Sequence, residues 1–327
     1  MPVWLIVLAA GLYVAGLFAV AWRGDRHARG TDAAPNPFVY ALALSVYCTS
    51  WTYFGAVGTA ASSGWDYLPI YAGPVIVFVF LPGILKRIGE VAHRESISSL
   101  ADFLSARYGK SRGVGALAAL AAVMGSLPYI ALQLKSVGMS FQALAYGAEN
   151  AGGQPASETV LLTALAMAVF AILFGARQSD ATRRNSGLMH VLALEAVIKL
   201  VALVAVSLMS MTVIMADPAA IPKAAYEPFT HLEIDTRLIT MTLLSMCAII
   251  CLPRQFHVTV IERKTDAERH FARFVFPLYL ILTSAVVIPI TVAGIATIKE
   301  GVPPDLYVMD LPLASGDGLL AMLVFLG

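Results

Sequence analysis

Residues 45–58 read SVYCTSWTYFGAVG and lie in the middle of an apolar run that extends over 37–59. Hydroxyl groups, aromatic rings and glycines crowd together there, and such a surface is a poor match for lipid. If the helix breaks at this point, freed backbone carbonyls and hydroxyls offer oxygen ligands of the kind that a sodium ion needs, while the aromatic rings wall a solute pocket. From composition alone, hydroxyls bonded back to their own helix and small residues packed between helices explain the stretch equally well.

The composition of the whole chain is that of a membrane protein. Of its 327 residues, 58% are hydrophobic and 13% are charged, and the mean hydropathy is +0.76. An ordinary soluble domain has about a quarter of its residues charged. The net charge of +1 says nothing about nucleic-acid or acidic partners, because the charges are confined to short stretches between long apolar runs. The expected partner is a lipid bilayer, and no nucleic acid is expected.

Apolar runs long enough to cross a bilayer recur along the chain. A spanning helix needs roughly 20 apolar residues to cross about 30 Å of hydrocarbon. The runs lie at 3–22, 37–59, 67–85, 114–146, 158–174, 188–215, 237–252 and 273–297, and a ninth opens at Gly318. The sequence therefore predicts an all-α integral membrane protein with about eight complete spans and the start of a ninth.

The basic residues are divided unequally between the two sides of this predicted bundle. The loops after the first, third, fifth and seventh spans hold 3, 6, 3 and 5 of them, which is 17 of the 22 Lys and Arg residues. Because basic loops stay in the cytoplasm, the N-terminus is predicted to lie outside. No positive charge precedes the first run, so we expect it to remain attached as a helix rather than to be cleaved as a signal peptide.

The seventh span has a second interruption, with Ser245, Met246 and Cys247 followed by Cys251, Leu252 and Pro253. It lies five spans after the second, so the two run in opposite directions. Paired broken helices of opposite orientation point to the central site of a transporter. Met246 and Cys247 are the predicted pocket residues because they lie deeper, whereas Pro253 is expected simply to end the helix at the inner surface.

Two further sets of polar residues fall within predicted spans. Glu195 and Lys199 are four residues apart on the sixth span, in the favourable acid-before-base order, and are predicted to form a structural ion pair. The fourth span carries Pro128, Tyr129, Gln133 and Lys135 within two turns. A kinked polar face of this kind lines a cavity more often than it faces lipid.

The sequence contains no arrangement that predicts enzymatic chemistry. There is no hydrolytic triad, no glycine-rich phosphate loop and no metal-binding spacing among the histidines and cysteines. Cys48, Cys247 and Cys251 lie in apolar segments and are interpreted as packing residues. We therefore expect no enzyme activity and no cofactor in this chain, beyond sodium as a coupling ion.

Four strings resemble the sodium:solute symporter family: YCTSWTYFGAVGTA at 47–60, SISSLADFLSARYGKS at 96–111, LPYIALQLKSVG at 127–138 and LPRQFHVTVIE at 252–262. More narrowly, YCTSW and LPRQFHVTVIE resemble the transporter-like N-terminal domain of bacterial hybrid sensor histidine kinases. The resemblance implies a LeuT-type fold of two inverted five-helix repeats, truncated in the second. Residues 1–327 then form one incomplete transporter-like domain, with an extra helix and basic loop at 1–36, the first repeat at 37–215 and the start of the second at 236–327.

The resemblance also implies a site. The backbone carbonyls of Ser45 and Cys48 become sodium ligands, and the region from Thr49 to Tyr53 faces the solute. Tyr47 departs from the family, because some of its sodium-coupled amino-acid transporters carry an acidic residue there. The implied solute-binding residues are Thr49, Ser50, Trp51, Tyr53, Tyr129, Gln133, Met246 and Cys247.

The function implied is transport or sensing of a small solute, an amino acid or similar metabolite, by a sodium-coupled module in the bacterial inner membrane. The resemblance further implies that this module is the membrane input of a sensor histidine kinase, with a downstream kinase region and a response regulator as partners. One alternative is a pure receptor without net transport, in which the solute shifts a two-state helix arrangement. A second alternative is a structural membrane anchor whose polar helix faces serve only packing.

Overall fold

A computed structural model describes residues 1–28, 36–147, 185–298 and 301–327, together with isolated helical positions at 158, 161, 164, 165, 168 and 169. The described residues form helices and connecting turns, and none of them is in a strand. Apart from the six isolated positions, the predicted fifth span at 158–174 and the basic loop after it lie outside the described residues. The fold is therefore all-helical over the part of the chain that the structure describes.

The described α-helices are numbered here in chain order. They are α1 (Val3–Ala28), α2 (Pro37–Ala43), α3 (Ala56–Ser63), α4 (Pro69–Phe80), α5 (Pro82–Arg94), α6 (Leu100–Arg107), α7 (Arg112–Tyr146), α8 (Ser186–Ala216), α9 (Thr236–Cys251), α10 (Pro253–Phe256), α11 (Asp266–Ala285), α12 (Val287–Thr297), α13 (Tyr307–Ala314) and α14 (Gly318–Leu326).

Four helical segments of the described chain are long and apolar enough to cross a membrane: α1, α7, α8 and the α11–α12 pair. A fifth is obtained if α9 and the helical segment Pro253–Ile261, which are bent by 56°, count as one broken span. The predicted count of eight is therefore not reproduced. The second predicted span is divided into short helices, and the third is the 12-residue α4, which ends before Pro82.

The core lies where α2 and α4 meet the later helices. α2 packs against α8 and α11, and α4 packs against α9 and α11. Leu44, Phe276 and Leu280 are fully buried there, and the ring centroids of Phe78 and Phe276 lie 4.9 Å apart, edge to face. This arrangement holds the second predicted span in the middle of the bundle.

The peripheral helices expose apolar surface. The most apolar stretch of α1 is 6% buried and that of α7 is 0% buried, and large side chains such as Trp4, Leu12 and Leu117 face outward. Water would not favour such a surface, whereas hydrocarbon covers it without cost. The chain is thus a helical membrane protein over the residues that the structure describes.

Candidate solute site at the broken second span

The second predicted span breaks at the stretch that the sequence singles out. α2 starts at Pro37, and the Asn36 side chain accepts hydrogen bonds from the Phe38 and Val39 amides. A 3₁₀ turn, Leu44–Tyr47, follows α2, and Cys48 is extended, with φ −79° and ψ 109°. The chain then re-enters a helix through a π-turn at Trp51–Gly55, so the helical hydrogen-bond ladder is interrupted around Cys48 and Thr49.

Side chains from other helices satisfy backbone groups that the break leaves without helical partners. Gln133 on α7 accepts a hydrogen bond from the Ser50 amide at 3.1 Å. Lys199 on α8 donates to the Cys48 carbonyl oxygen at 3.2 Å, and the Tyr71 hydroxyl on α4 donates to the Thr52 carbonyl oxygen at 2.9 Å. Buried backbone groups need such partners, so the break is an ordered feature held from three directions.

The seventh predicted span also breaks, and it contacts the second. Leu252 is extended, at φ −70° and ψ 124°, because the following Pro253 disfavours the helical conformation before it. Beyond the bend the helix resumes, and Gln255 donates to the Leu44 carbonyl oxygen at 3.4 Å. The Tyr40 hydroxyl in turn donates to the Thr259 carbonyl oxygen at 2.8 Å. Pro253 therefore bends this span instead of ending it.

A cavity of about 460 Å³ opens beside the break, between α7, α8, α10 and α14. We call it the Lys199 cavity. Its lining includes the polar residues Thr49, Ser50, Tyr53, Gln133, Glu195, Lys199 and Arg254. Its volume suits a small metabolite.

The Glu195 and Lys199 side chains form an ion pair on one wall of this cavity. Lys199 Nζ lies 2.7 Å from Glu195 Oε1, and the two side chains are 15% and 34% exposed. The same ammonium group holds the Cys48 carbonyl. The pair thus ties α8 to the break in the second span.

The two carbonyls that the family resemblance assigns to sodium are already engaged. The Ser45 carbonyl oxygen accepts the Cys48 amide at 2.7 Å, and the Cys48 carbonyl oxygen accepts from the Lys199 ammonium. A sodium ion at this pair would stand close to a positive charge, and the repulsion opposes binding. The residues present do not fit sodium between Ser45 and Cys48.

A second cavity, of about 390 Å³, lies on the other side of the π-turn and is here called the Lys135 cavity. Trp51, Lys135 and Asp305 line it, and it shares Ser50 and Phe54 with the Lys199 cavity. Burial raises the pKa of the Asp305 carboxyl, and the nearby Lys135 opposes that rise. The π-turn therefore forms a wall between two cavities that each contain charged residues.

The predicted solute-binding residues separate into four groups. Thr49, Ser50, Tyr53 and Gln133 line the Lys199 cavity, while Trp51 lines the Lys135 cavity. Tyr129 lies beneath Arg254, with the guanidinium carbon 4.2 Å from its ring centroid.

The last two predicted solute-binding residues, Met246 and Cys247, line neither cavity. Cys247 is exposed and Met246 packs at the edge of the core. The reason is that α9 turns its Ser245 face towards α4, where Ser245 donates to the Pro69 carbonyl oxygen at 2.8 Å.

Sequence reasoning missed Arg254, which it counted only among the basic residues of an inner loop. The structure places Arg254 in the wall of the Lys199 cavity. The signal that could have found it is its position directly after Pro253, since a bend turns the next residue back toward the bundle.

Comparisons with known proteins give one weak similarity. The chain is 27% identical over 110 residues to an uncharacterised symporter, YhjB, of Bacillus subtilis (strain 168). The match covers 34% of this chain and spans only 22% of that protein's length. No family model matches the chain, and no solved structure matches it significantly. The similarity supports a transporter-like relationship.

Proposed function

We propose that this chain is a solute-binding transmembrane module of the transporter type, with the inverted-repeat LeuT-type fold of the sodium:solute symporters. The observation that carries the proposal is the break at Cys48 and Thr49, stabilised by side chains of α4, α7 and α8 beside a cavity of about 460 Å³. Broken helices at a central cavity are the usual way in which transporters expose backbone groups to a solute.

The contact between the two broken spans suggests how the module works. Tyr40 and Gln255 join the first half of the second span to the second half of the seventh through two hydrogen bonds. A solute that fits the Lys199 cavity better in one arrangement of these segments shifts the population towards that arrangement. The proposed cycle therefore moves the broken segments against each other, around the cavity.

A sensing role is the second candidate function, and one contact favours it. Phe103 of the short helix α6 packs edge to face on Phe256 of α10, with the centroids 5.6 Å apart. A movement of the bent seventh span would thus reach α6, on the side that carries the basic loops. In this variant the module is the input of a sensor histidine kinase in the bacterial inner membrane, with its N-terminus outside and its kinase region in the cytoplasm.

The test is solute uptake by the protein at its natural full length in proteoliposomes, using labelled amino acids, carboxylates, sugars and amines. We expect at least one class to bind and to accumulate, with or without a sodium gradient. Saturable binding without accumulation selects the receptor. Absence of binding across all four classes contradicts the proposal and favours the alternative that the chain is a structural membrane anchor.

The matched site variant is Thr49→Ala, which removes a hydroxyl from the cavity wall. It should weaken binding of the solute found, whereas Thr240→Ala is the control, because Thr240 is exposed on α9 and bonds only to its own helix. Equal binding by the wild type and Thr49→Ala would show that the solute site does not lie at the break.

A further inference from the structure

Buried hydrogen-bond donors without a partner cluster in and beside the wall of the Lys199 cavity. The Arg254 Nε, the Gln133 Nε2, the Ser50 hydroxyl and the Tyr129 hydroxyl are all buried without a hydrogen-bond partner in the described structure. A buried polar group without a partner costs free energy and calls for an explanation. Three of these groups belong to residues that line the cavity, and the fourth, Tyr129, stacks against Arg254.

The charges of the cavity do not balance. Glu195 and Lys199 neutralise each other at 2.7 Å, and Arg254 is the remaining charged residue of its described lining. Arg254 makes no ion pair with any described residue. The cavity thus carries a net charge of about +1, which an anionic ligand would neutralise.

The setting of Arg254 suits a carboxylate in particular. Its guanidinium carbon lies over the Tyr129 ring, 4.2 Å from the centroid, a cation–π contact that uses none of the donors on the N–H edge of the group. That edge is a rigid fork that matches the two oxygens of a carboxylate. The Oε1 atom of neighbouring Gln133 accepts a hydrogen bond from the Ser50 amide, so the Nε2 donor of Gln133 points away from that amide.

We propose that the Lys199 cavity binds its solute through a carboxylate group, with Arg254 as the anchor and Gln133 and Ser50 as further donors. The inference rests on the proposed function and narrows it to carboxylate-bearing metabolites. An ionised carboxylate only accepts hydrogen bonds, so it satisfies unpartnered donors at once. A neutral sugar would leave the Arg254 charge without a counter-ion.

The experiment compares carboxylates with their amides as probes of the full-length protein. Acetate, L-lactate and L-alanine are each paired with acetamide, L-lactamide and L-alaninamide, and glucose and putrescine represent the uncharged and cationic classes. Binding is followed by intrinsic tryptophan fluorescence, because Trp51 borders the adjacent cavity, and by the shift of the melting temperature. We expect saturable binding of at least one carboxylate and at least about tenfold weaker binding of its amide.

The variants assign the effect to one residue. Arg254→Gln should weaken carboxylate binding at least about tenfold, and Arg254→Lys should recover part of it, because the charge returns without the fork. Arg237→Gln is the matched control, since Arg237 pairs with Asp66 away from both cavities. If Arg254→Gln does not fold, the proposal is still tested by the ratio of carboxylate affinity to amide affinity, measured for the wild type and for Arg254→Lys.

The outcomes separate the two proposals. Binding of glucose or putrescine without binding of any carboxylate overturns the carboxylate subsite and leaves the solute module standing. Carboxylate binding that Arg254→Gln leaves unchanged overturns the role of Arg254. Absence of binding by any probe, in the wild type and in the broader uptake panel, overturns both.

Discussion

Lys199 is the residue on which the chemistry of the break depends most. Its ammonium group bonds to the Glu195 carboxylate and to the Cys48 carbonyl, which otherwise have no common partner. In effect a fixed positive charge occupies the place that the family resemblance gives to a sodium ion. Whether a sodium ion can bind between Ser45 and Cys48 therefore depends on the charge of the Lys199 side chain.

We predict that sodium stabilises the protein only after this side chain loses its charge. Lys199→Met should lower stability by about 1–3 kcal/mol, because Glu195 keeps its charge and the Cys48 carbonyl loses a partner. Replacing choline chloride in the buffer with sodium chloride should then increase the melting temperature of Lys199→Met but not that of the wild type. Lys135→Met, in the second cavity, is the control, and saturable sodium stabilisation of the wild type would refute the idea.

Asp305 gives a second prediction at the residue scale. It lies in the loop between α12 and α13, and burial raises the pKa of its carboxyl above the ordinary 3.8. An acid with a raised folded-state pKa adds stability that is full below pH 3.8 and disappears as the pH rises through the folded-state pKa. Asp305→Asn should thus melt at a higher temperature than the wild type at pH 7, and the difference should shrink towards pH 4. A constant difference between the two pH values would show that ionisation of Asp305 is irrelevant.

At the scale of the elements, packing of α4 against α9 sets the position of the seventh span. A Cβ atom added at Gly73 would lie 2.1 Å from Ser245 Oγ and 2.7 Å from the Met246 backbone nitrogen. Relief of this contact would require a shift of the α9 backbone and not only of a flexible side chain. This close approach also explains why Ser245 faces inward and Cys247 faces outward.

Gly73→Ala should accordingly destabilise the protein by about 1–3 kcal/mol or more, because the new methyl group overpacks a helix interface. Gly11→Ala is the matched control: no atom lies within 4 Å of its added Cβ, and a helical alanine should be neutral or slightly stabilising. Thermal unfolding in one detergent measures both. Equal melting temperatures for the two variants would mean that α4 and α9 are not packed in this way.

The elements also show where sequence reasoning succeeds and where it stops. The break in the second span was predictable, because hydroxyls, aromatic rings and glycines interrupt an otherwise apolar helix at Ser45 to Gly58. Pro253 was predicted to end its helix, yet the chain bends and continues. The Met246 and Cys247 assignments depended on which face of α9 points inward, and that is set by contact with α4, which local sequence does not encode.

At the scale of the whole molecule, the distribution of basic residues predicts an orientation in the membrane. The basic residues around Arg94 and Lys110 belong to the side that the positive-inside rule assigns to the cytoplasm. The segment from Pro222 to Phe229, which forms two 3₁₀ turns, is predicted to lie on the opposite side. Trp65 donates to the Phe229 carbonyl oxygen at 3.2 Å, so this segment caps the end of the bundle near α3.

This orientation can be tested with one cysteine on each side. In a Cys247→Ser, Cys251→Ser background the remaining Cys48 is buried, so it should stay unlabelled. A membrane-impermeant maleimide added to intact spheroplasts should then label Lys223→Cys, whereas Arg94→Cys should react only after permeabilisation. Both positions are exposed, so a difference in labelling reports the side of the membrane and not burial. The reverse labelling pattern would show that the protein has the opposite orientation. Labelling of both Lys223→Cys and Arg94→Cys from outside would place the two loops on the same side of the membrane. In that case an even number of crossings would separate them, and the chain from α6 to α8 would have to cross the bilayer differently from the way its apolar runs predict.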